Sequence, residues 1–398
     1  MQTLFLTYAR LIEHTNCDFI RYLYPQIDWE ERFICIKGAR GVGKTTMLLQ
    51  HIKQSFPDAT RAFYVSLDNL WFASHTLAEL VEYLYTHGVT HIFADEVHRY
   101  PTWIEEMKNI YDSYPDLHIV FTGSSLLQLD QAKGDLSRRL RMYELHGLSF
   151  REYLKLNSIA DFPVLTMDDI LLTHMQLAAG MAAQTKVLLY FERYVREGFY
   201  PFRRESANED SYLERLREVV STVIENDIPA VEDISYETLQ KIKRLLMVLA
   251  QMAPFTPKIA TLCQTIATTR NQLLRLLDLL DRAALIRLLR IGDKGLKAIG
   301  KPEKILMGNP NIMAALGQQV DEGSMRETFF ACQLAVGHQL SYPEKGDFLV
   351  DGTHLFEVGG PNKGFNQIKD LPDSYVAADN MEIGFGNKIP LWMFGLLY

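Results

Sequence analysis

Residues 33–45 read FICIKGARGVGKT, an apolar run that closes on G-x-x-x-x-G-K-[ST] and leads into the helical pattern MLLQHIK at 47–53. Glycines at 38, 41 and 43 permit backbone dihedrals that turn successive N–H groups inward, and the helix that follows adds its positive N-terminal end. The expected result is an anion nest for a polyphosphate, built from Gly38, Ala39, Arg40, Gly41, Val42, Gly43, Lys44, Thr45 and Thr46. Lys44 is expected to reach the terminal phosphates as a point charge, and the Thr45 hydroxyl to ligate Mg²⁺.

Working outward, short apolar runs alternate with helical patterns: AFYVSL at 62–67, HIFAD at 91–95, HIVFTG at 118–123 and MYELHGL at 142–148. That alternation predicts an α/β fold, a parallel sheet with helices on both faces as in P-loop NTPases. The run at 91–95 ends in two acids, Asp95 and Glu96. Asp95 is expected to hold Mg²⁺ and Glu96 to polarise the attacking water; the competing reading is that both merely cap a helix starting near Pro101. The next run ends in Thr122-Gly123-Ser124-Ser125, where Ser124 is the candidate to contact the γ-phosphate or the water, unless these hydroxyls are helix caps. In Leu136-Ser137-Arg138-Arg139-Leu140-Arg141, Arg139 is the candidate arginine finger, in cis or on a neighbouring subunit, against a solvated basic turn.

The chain has 398 residues, 47% hydrophobic and 23% charged, which excludes disorder and allows several cores. Its formal charge of −8 excludes a global electrostatic footprint for nucleic acid, so any polyanion partner needs a local patch. The candidate patch is residues 282–304, with seven basic residues against two acids. Cys17, Cys35, Cys263 and Cys332 form no C-x-x-C pair, and the histidines show no metal spacing, so neither a disulfide framework nor a zinc site is expected. No signal-peptide pattern opens the chain, and the longest greasy stretch, 245–255, is about half of the ~20 residues a membrane span needs, so a cytoplasmic location is expected.

Four segments are expected: a P-loop ATPase domain at 1–148, a helical lid or connector at 149–236, a winged helix-turn-helix at 237–295 and an α+β module at 296–398. In the third, Arg270, Asn271, Gln272 and Arg275 begin a leucine-rich helix that would face a DNA groove or pack against protein. In the fourth, GDFLVDGTHLFEVGG at 346–360 reads as a hairpin around a DG turn.

The runs GARGVGKTT, FADEVHRYPTW, FTGSSLLQL and SRRLRMYELHGLSFREYL, with FERYVREGFYPF at 191–202, resemble the bacterial and archaeal AAA-type ATPases that carry a C-terminal domain of unknown function. The resemblance implies an AAA-like ATPase core, ATP or ADP with Mg²⁺ as ligands, a winged-helix region and a nuclease-like C-terminal module. Adenine preference comes from this resemblance and from the lack of an N-K-x-D string. Arg138 stands where the family usually has Gly, which leaves the role of Arg139 open. The placing of Glu327, Asp347 and Glu357 is similar to PD-(D/E)XK nucleases, but Gly359 occupies the lysine position, so a degenerate module is expected; Lys363 is the substitute, less well placed from a loop. The reaction expected is ATP hydrolysis coupled to the later modules, on DNA, a protein partner or within a homo-oligomer. The alternatives are a slow nucleotide-gated switch or DNA-binding regulator, and a nuclease governed by the ATPase.

Overall fold

The computed structural model describes residues 1–58, 60–123, 139–230, 232–251, 258–291, 301–317 and 320–398. The contacts group the chain into two units rather than four: Met1–His146 with Asn226–Asp233, and Gly147–Glu225 with Ile234–Tyr398. The three later segments distinguished on sequence grounds share the second unit, apart from the excursion at 226–233.

In the first unit α1 (Gln2–His14) precedes β1 (Phe33–Lys37), α2 (Lys44–Ser55), β2 (Ala62–Ser66), α3 (Leu77–Thr86) and β3 (His91–Asp95); α4 (Trp103–Ser113), β4 (His118–Gly123) and β5 (Arg141–Glu144) follow. The strands form one sheet in the order β2-β3-β4-β1-β5, and every pair is parallel. Parallel neighbours require crossovers, and a sheet covered on both faces needs strands that are apolar throughout. Phe33, Ile34, Cys35 and Ile36 are accordingly all buried, as are Ile92, Phe93 and Ala94. The fifth strand ends at Glu144, short of the expected Leu148, because its partner β1 ends at Lys37, opposite Glu144. The loops after β1 and β3 therefore share the carboxyl edge of the sheet, the position at which open α/β sheets bind ligands.

The second unit opens with α5 (Phe150–Leu156), α6 (Met167–Ala182), α7 (Val187–Glu197) and α8 (Glu209–Thr222). Reciprocal Ser149–Glu152, Thr166–Asp169 and Asn208–Ser211 hydrogen bonds start α5, α6 and α8. Next come α9 (Tyr236–Gln251), α10 (Ile259–Thr265), α11 (Arg270–Arg282), β6 (Ile286–Leu289) and β7 (Lys304–Met307), the two strands pairing antiparallel. Leu273, Leu276, Leu277, Leu279 and Leu280 bury one face of α11, while Arg270, Asn271 and Arg275 lie on its exposed side. Gln272 is half-buried and accepts a 2.7 Å hydrogen bond from Thr268.

After α12 (Pro310–Leu316) and α13 (Glu322–Leu334), the strands β8 (Leu340–Ser341), β9 (Phe348–Val350), β10 (His354–Gly359), β11 (Ser374–Ala378) and β12 (Lys388–Pro390) make a mixed five-stranded sheet in the order β12-β11-β10-β9-β8. The expected hairpin is present: β9 and β10 pair antiparallel around Asp351-Gly352, both at positive φ. Phe329 and Phe330 of α13, Phe348 and Phe356 of the sheet, and Trp392 and Phe394 near the chain end share a core with Phe150 and Tyr194. Asn311, wholly buried, ties this core with four hydrogen bonds, accepting from Phe199 N and Tyr212 Oη and donating to Tyr194 O and Val195 O. Among the described residues no helix is long and apolar enough to cross a membrane.

Candidate nucleotide-binding site

The loop between β1 and α2 is shaped by contacts that only glycine permits at two points. Gly43 has φ +99°, a left-handed conformation, and ends the loop as the N-cap of α2. A Cβ on Gly38 would lie 2.2 Å from the carbonyl oxygen of Leu145, so the strand ends approach there as no side chain would allow. Lys44 is buried and its Nζ donates to Gly38 O at 2.8 Å and Ala39 O at 3.0 Å. Burial pushes the Lys44 ammonium below its ordinary pKa, opposed by the charges of Glu96, Asp95 and Asp227 and reinforced by Arg40. Nη1 of Arg40 is buried with no hydrogen-bond partner among the described residues, a donor that a bound anion would satisfy.

The two acids at the end of β3 do different things. Asp95 is buried and accepts from Thr45 Oγ1 at 2.5 Å, from Tyr64 Oη at 2.9 Å and from Thr122 Oγ1. The helix-start hydroxyl of the loop and the metal-binding carboxylate expected from sequence therefore meet directly. Glu96 lies next to it with φ +54°, a conformation uncommon for a non-glycine residue and one that turns the chain sharply at the strand end. Its backbone N–H donates to Asp95 Oδ1 at 3.2 Å and Thr122 Oγ1 at 3.4 Å. Its carboxylate is partly exposed and lies 3.4 Å from Nε2 of His98. Glu96 begins a turn at Val97–Arg99 without a side-chain cap hydrogen bond, and Thr102 is the N-cap of α4, so neither acid caps that helix.

Four contributors go beyond the site residues named from the sequence, Thr122 among them only as part of its strand-end run. Arg21, buried, donates to Val42 O in the loop at 2.5 Å and to His146 O at 2.7 Å, strapping the loop to the chain beyond β5. Tyr64 orients Asp95 from the neighbouring strand, and burial together with Asp95 raises its phenol pKa far above the ordinary value. Thr122 supplies the strand-end hydroxyl at the two acids. Asp227, from the excursion at 226–233, lies 3.7 Å from His98 Nε2 and pairs with Arg99 at 3.1 Å. The signal for Tyr64 and Thr122 was their place in apolar strands flanking β3; Arg21 and Asp227 carried none.

Ser124 and Arg138 lie outside the described residues. Arg139 is not brought to the site: it pairs with Asp112 at 3.1 Å and stands over the Tyr111 ring, both on the last turn of α4. That turn leads into the start of β4, at the edge of the sheet opposite the loop, so Arg139 contributes nothing to the site within its own chain. Among the described residues no three His, Cys, Asp or Glu side chains are spaced to hold a metal; Thr45 with Asp95 fits Mg²⁺, which retains water and phosphate oxygens as its other ligands.

The sheet order, the glycine loop and the paired acids define a P-loop nucleoside-triphosphatase fold. Residues 30–154 match the family model of an AAA domain, and residues 30–146 of that match lie in the first unit. Residues 188–323 match the model of a domain of unknown function, DUF8612. The chain is similar to the uncharacterized protein MJ1637 of Methanocaldococcus jannaschii, 27% identical over 393 residues that cover 90% of this chain and 82% of that protein. Among solved structures it aligns with the Walker-type ATPase PABY2304 of Pyrococcus abyssi at TM-score 0.43 and 12% identity, over 77% of this chain and 99% of that one. It also aligns with the Aeropyrum pernix ORC1 protein in complex with DNA at TM-score 0.33 and 13% identity, over 77% and 90% of the two chains.

Proposed function

We propose that this protein binds ATP with Mg²⁺ and hydrolyses it, and that the nucleotide state governs what the second unit presents to a partner. The observation that carries this reading is the meeting of Thr45 and Asp95 at 2.5 Å beside Glu96, with Lys44 folded into the same loop. Loop N–H groups, Lys44 and Arg40 bind the polyphosphate. Thr45 and Asp95 hold the metal, which when bound neutralises charge developing on the phosphate oxygens. Glu96 orients a water for in-line attack on the γ-phosphorus; the water oxygen forms the new bond, the bond to ADP breaks and the proton leaves through the carboxylate.

For the partner, the order α9-α10-α11-β6-β7 supports a winged helix-turn-helix, with Arg270, Asn271 and Arg275 on the outer side of α11. Part of the basic run 282–304 lies outside the described residues, so DNA contact rests on the outer side of α11. The test is steady-state ATP turnover by wild type and Glu96→Gln, with and without duplex DNA. Turnover that collapses in the variant while ATP affinity holds supports the assignment; bound ATP without turnover in the wild type replaces hydrolysis with a nucleotide-gated switch. Stimulation by DNA identifies the partner, and its absence turns the search to protein.

A further inference from the structure

The acids of the last sheet are already paired: Glu357 with Lys363, and Asp347 with Lys304 at 3.6 Å, the same lysine that lies 2.5 Å from Glu327 of α13. Another face of α13 is not closed in this way. Glu322, Met325, Arg326 and Phe329 follow one another there at helical spacing and line a cleft of about 560 Å³. The facing wall is α7, whose Leu188, Phe191, Glu192, Val195 and Arg196 keep the same rhythm.

Stripes of this kind on neighbouring helices ordinarily interdigitate until few voids larger than a water molecule remain. Here they meet at the base, where the rings of Phe191 and Phe329 stand edge to face with centroids 4.7 Å apart. Both rings are buried, whereas Val195 and Met325 higher on the walls are only half-buried. Two ion pairs brace the walls: Arg196 reaches from α7 to Glu209 of α8 at 2.8 Å, and Arg326 from α13 to Asp379, just beyond β11, at 2.8 Å. Each ties one wall to a neighbouring element, and neither crosses from α7 to α13.

The charges along the cleft do not balance. Four carboxylates, Glu192, Glu209, Glu322 and Asp379, stand against the two guanidiniums, and both guanidiniums are occupied. Nε and Nη2 of Arg196 both go to Oε1 of Glu209, and Nη2 of Arg326 goes to Oε2 of Glu322. The second oxygen of each glutamate has no partner among the described residues, and neither has the Glu192 carboxylate. An anionic ligand would meet this excess of like charge with both arginines taken. A cation with an apolar body answers the walls and the carboxylates together.

Size and wall type select a small molecule over a peptide. The volume falls within the roughly 300–1,000 Å³ of sites that hold single small ligands. Both long walls are helices, whose backbone groups are bonded internally, so an extended peptide would find no main-chain partner along them.

We propose that the cleft between α7 and α13 binds a small organic amine, an apolar body carrying at least one ammonium group. The body lies against Phe191, Val195, Met325 and Phe329. Glu192 and the open oxygen of Glu209 hold the ammonium, and Glu322 on the opposite wall meets a second one where the ligand has it. The site uses no residue of the nucleotide loop, so it stands or falls apart from ATP hydrolysis.

The test uses the full chain without nucleotide and the probe dansylcadaverine, a naphthalene sulfonamide on a primary amine whose fluorescence rises in apolar surroundings. Its N-acetylated form keeps the body and removes the charge; spermidine keeps charge and removes the body. Dansylcadaverine should bind saturably at one site per chain, with the acetylated form and spermidine each at least about tenfold weaker. Glu192→Gln combined with Glu322→Gln, both at exposed positions, should weaken dansylcadaverine by about tenfold and leave the acetylated form within about twofold. Val195→Trp fills the cleft and should abolish binding of both forms. Circular dichroism and melting identify a variant that fails to fold, and the exposed glutamine pair keeps the test decisive if Val195→Trp does. Absence of saturable binding, equal affinity for the acetylated form, or affinity indifferent to the glutamine pair overturns the proposal.

Discussion

Asp227, delivered between α8 and α9, stands 3.7 Å from the imidazole of His98, the side chain that also lies 3.4 Å from Glu96. The His98 side chain is wholly buried and that of Asp227 nearly so, and Arg99 pairs with Asp227 from the next position. Glu96 and a residue remote in sequence thus approach the same imidazole nitrogen. Asp227→Asn should lower kcat for ATP by about tenfold, equivalent to ~1.4 kcal/mol, with KM changed by less than about threefold. A rise in KM with kcat intact would instead place Asp227 in nucleotide binding.

Tyr64 supplies one of three hydroxyls that fix Asp95. Tyr64→Phe keeps the ring in the sheet and removes only that donor. The Mg²⁺ concentration for half-maximal turnover should rise about three- to tenfold while kcat at saturating Mg²⁺ stays within about twofold. Titration of turnover with Mg²⁺ measures both.

Gly38 has Leu145 O where a Cβ would stand, at 2.2 Å. Gly38→Ala must therefore push the loop away from β5, at about 2 kcal/mol or more of stability. ATP affinity measured by calorimetry should fall at least about tenfold, and an unchanged affinity would remove the loop from the site.

Two histidines of the first unit are held neutral. Burial, then the charge of His91, brings His51 down to about 4; burial, then His118 and Arg61, brings His91 to about 4. In the unfolded chain both titrate near 6.5, so between about pH 4 and 6.5 the unfolded state binds more protons. Their contribution is complete above about pH 6.5 and is lost as pH falls toward 4. The melting temperature of the first unit should drop between pH 7 and 5, and His51→Gln with His91→Gln should flatten that slope.

In the second unit Asn311 makes four buried hydrogen bonds. Asn311→Ala leaves two carbonyls, an amide and a phenol unsatisfied, at about 1–3 kcal/mol for each group that water cannot reach. Chemical denaturation followed by tyrosine fluorescence should show an earlier transition for this unit, with ATP affinity unaffected.

What the sequence determined by itself was local. The glycine loop, its lysine and threonine, and the acids at the end of β3 are written as contiguous runs, because a strand, a turn with positive φ and a helix start depend on neighbours along the chain. The alternation of apolar runs also specified a parallel sheet, since both of its faces must be covered. Tertiary structure decided which distant side chains complete each site. Sheet order put Tyr64 and Thr122 on either side of Asp95, the excursion at 226–233 brought Asp227 to His98, and the packing of α13 paired Arg326 with Asp379 beyond β11. It also placed Arg139 beside Asp112, away from the loop its position in the chain suggested. Each of these is a contact between segments far apart or across a turn, set by packing and by the need to satisfy buried charge. Spacing along the chain does not encode such contacts.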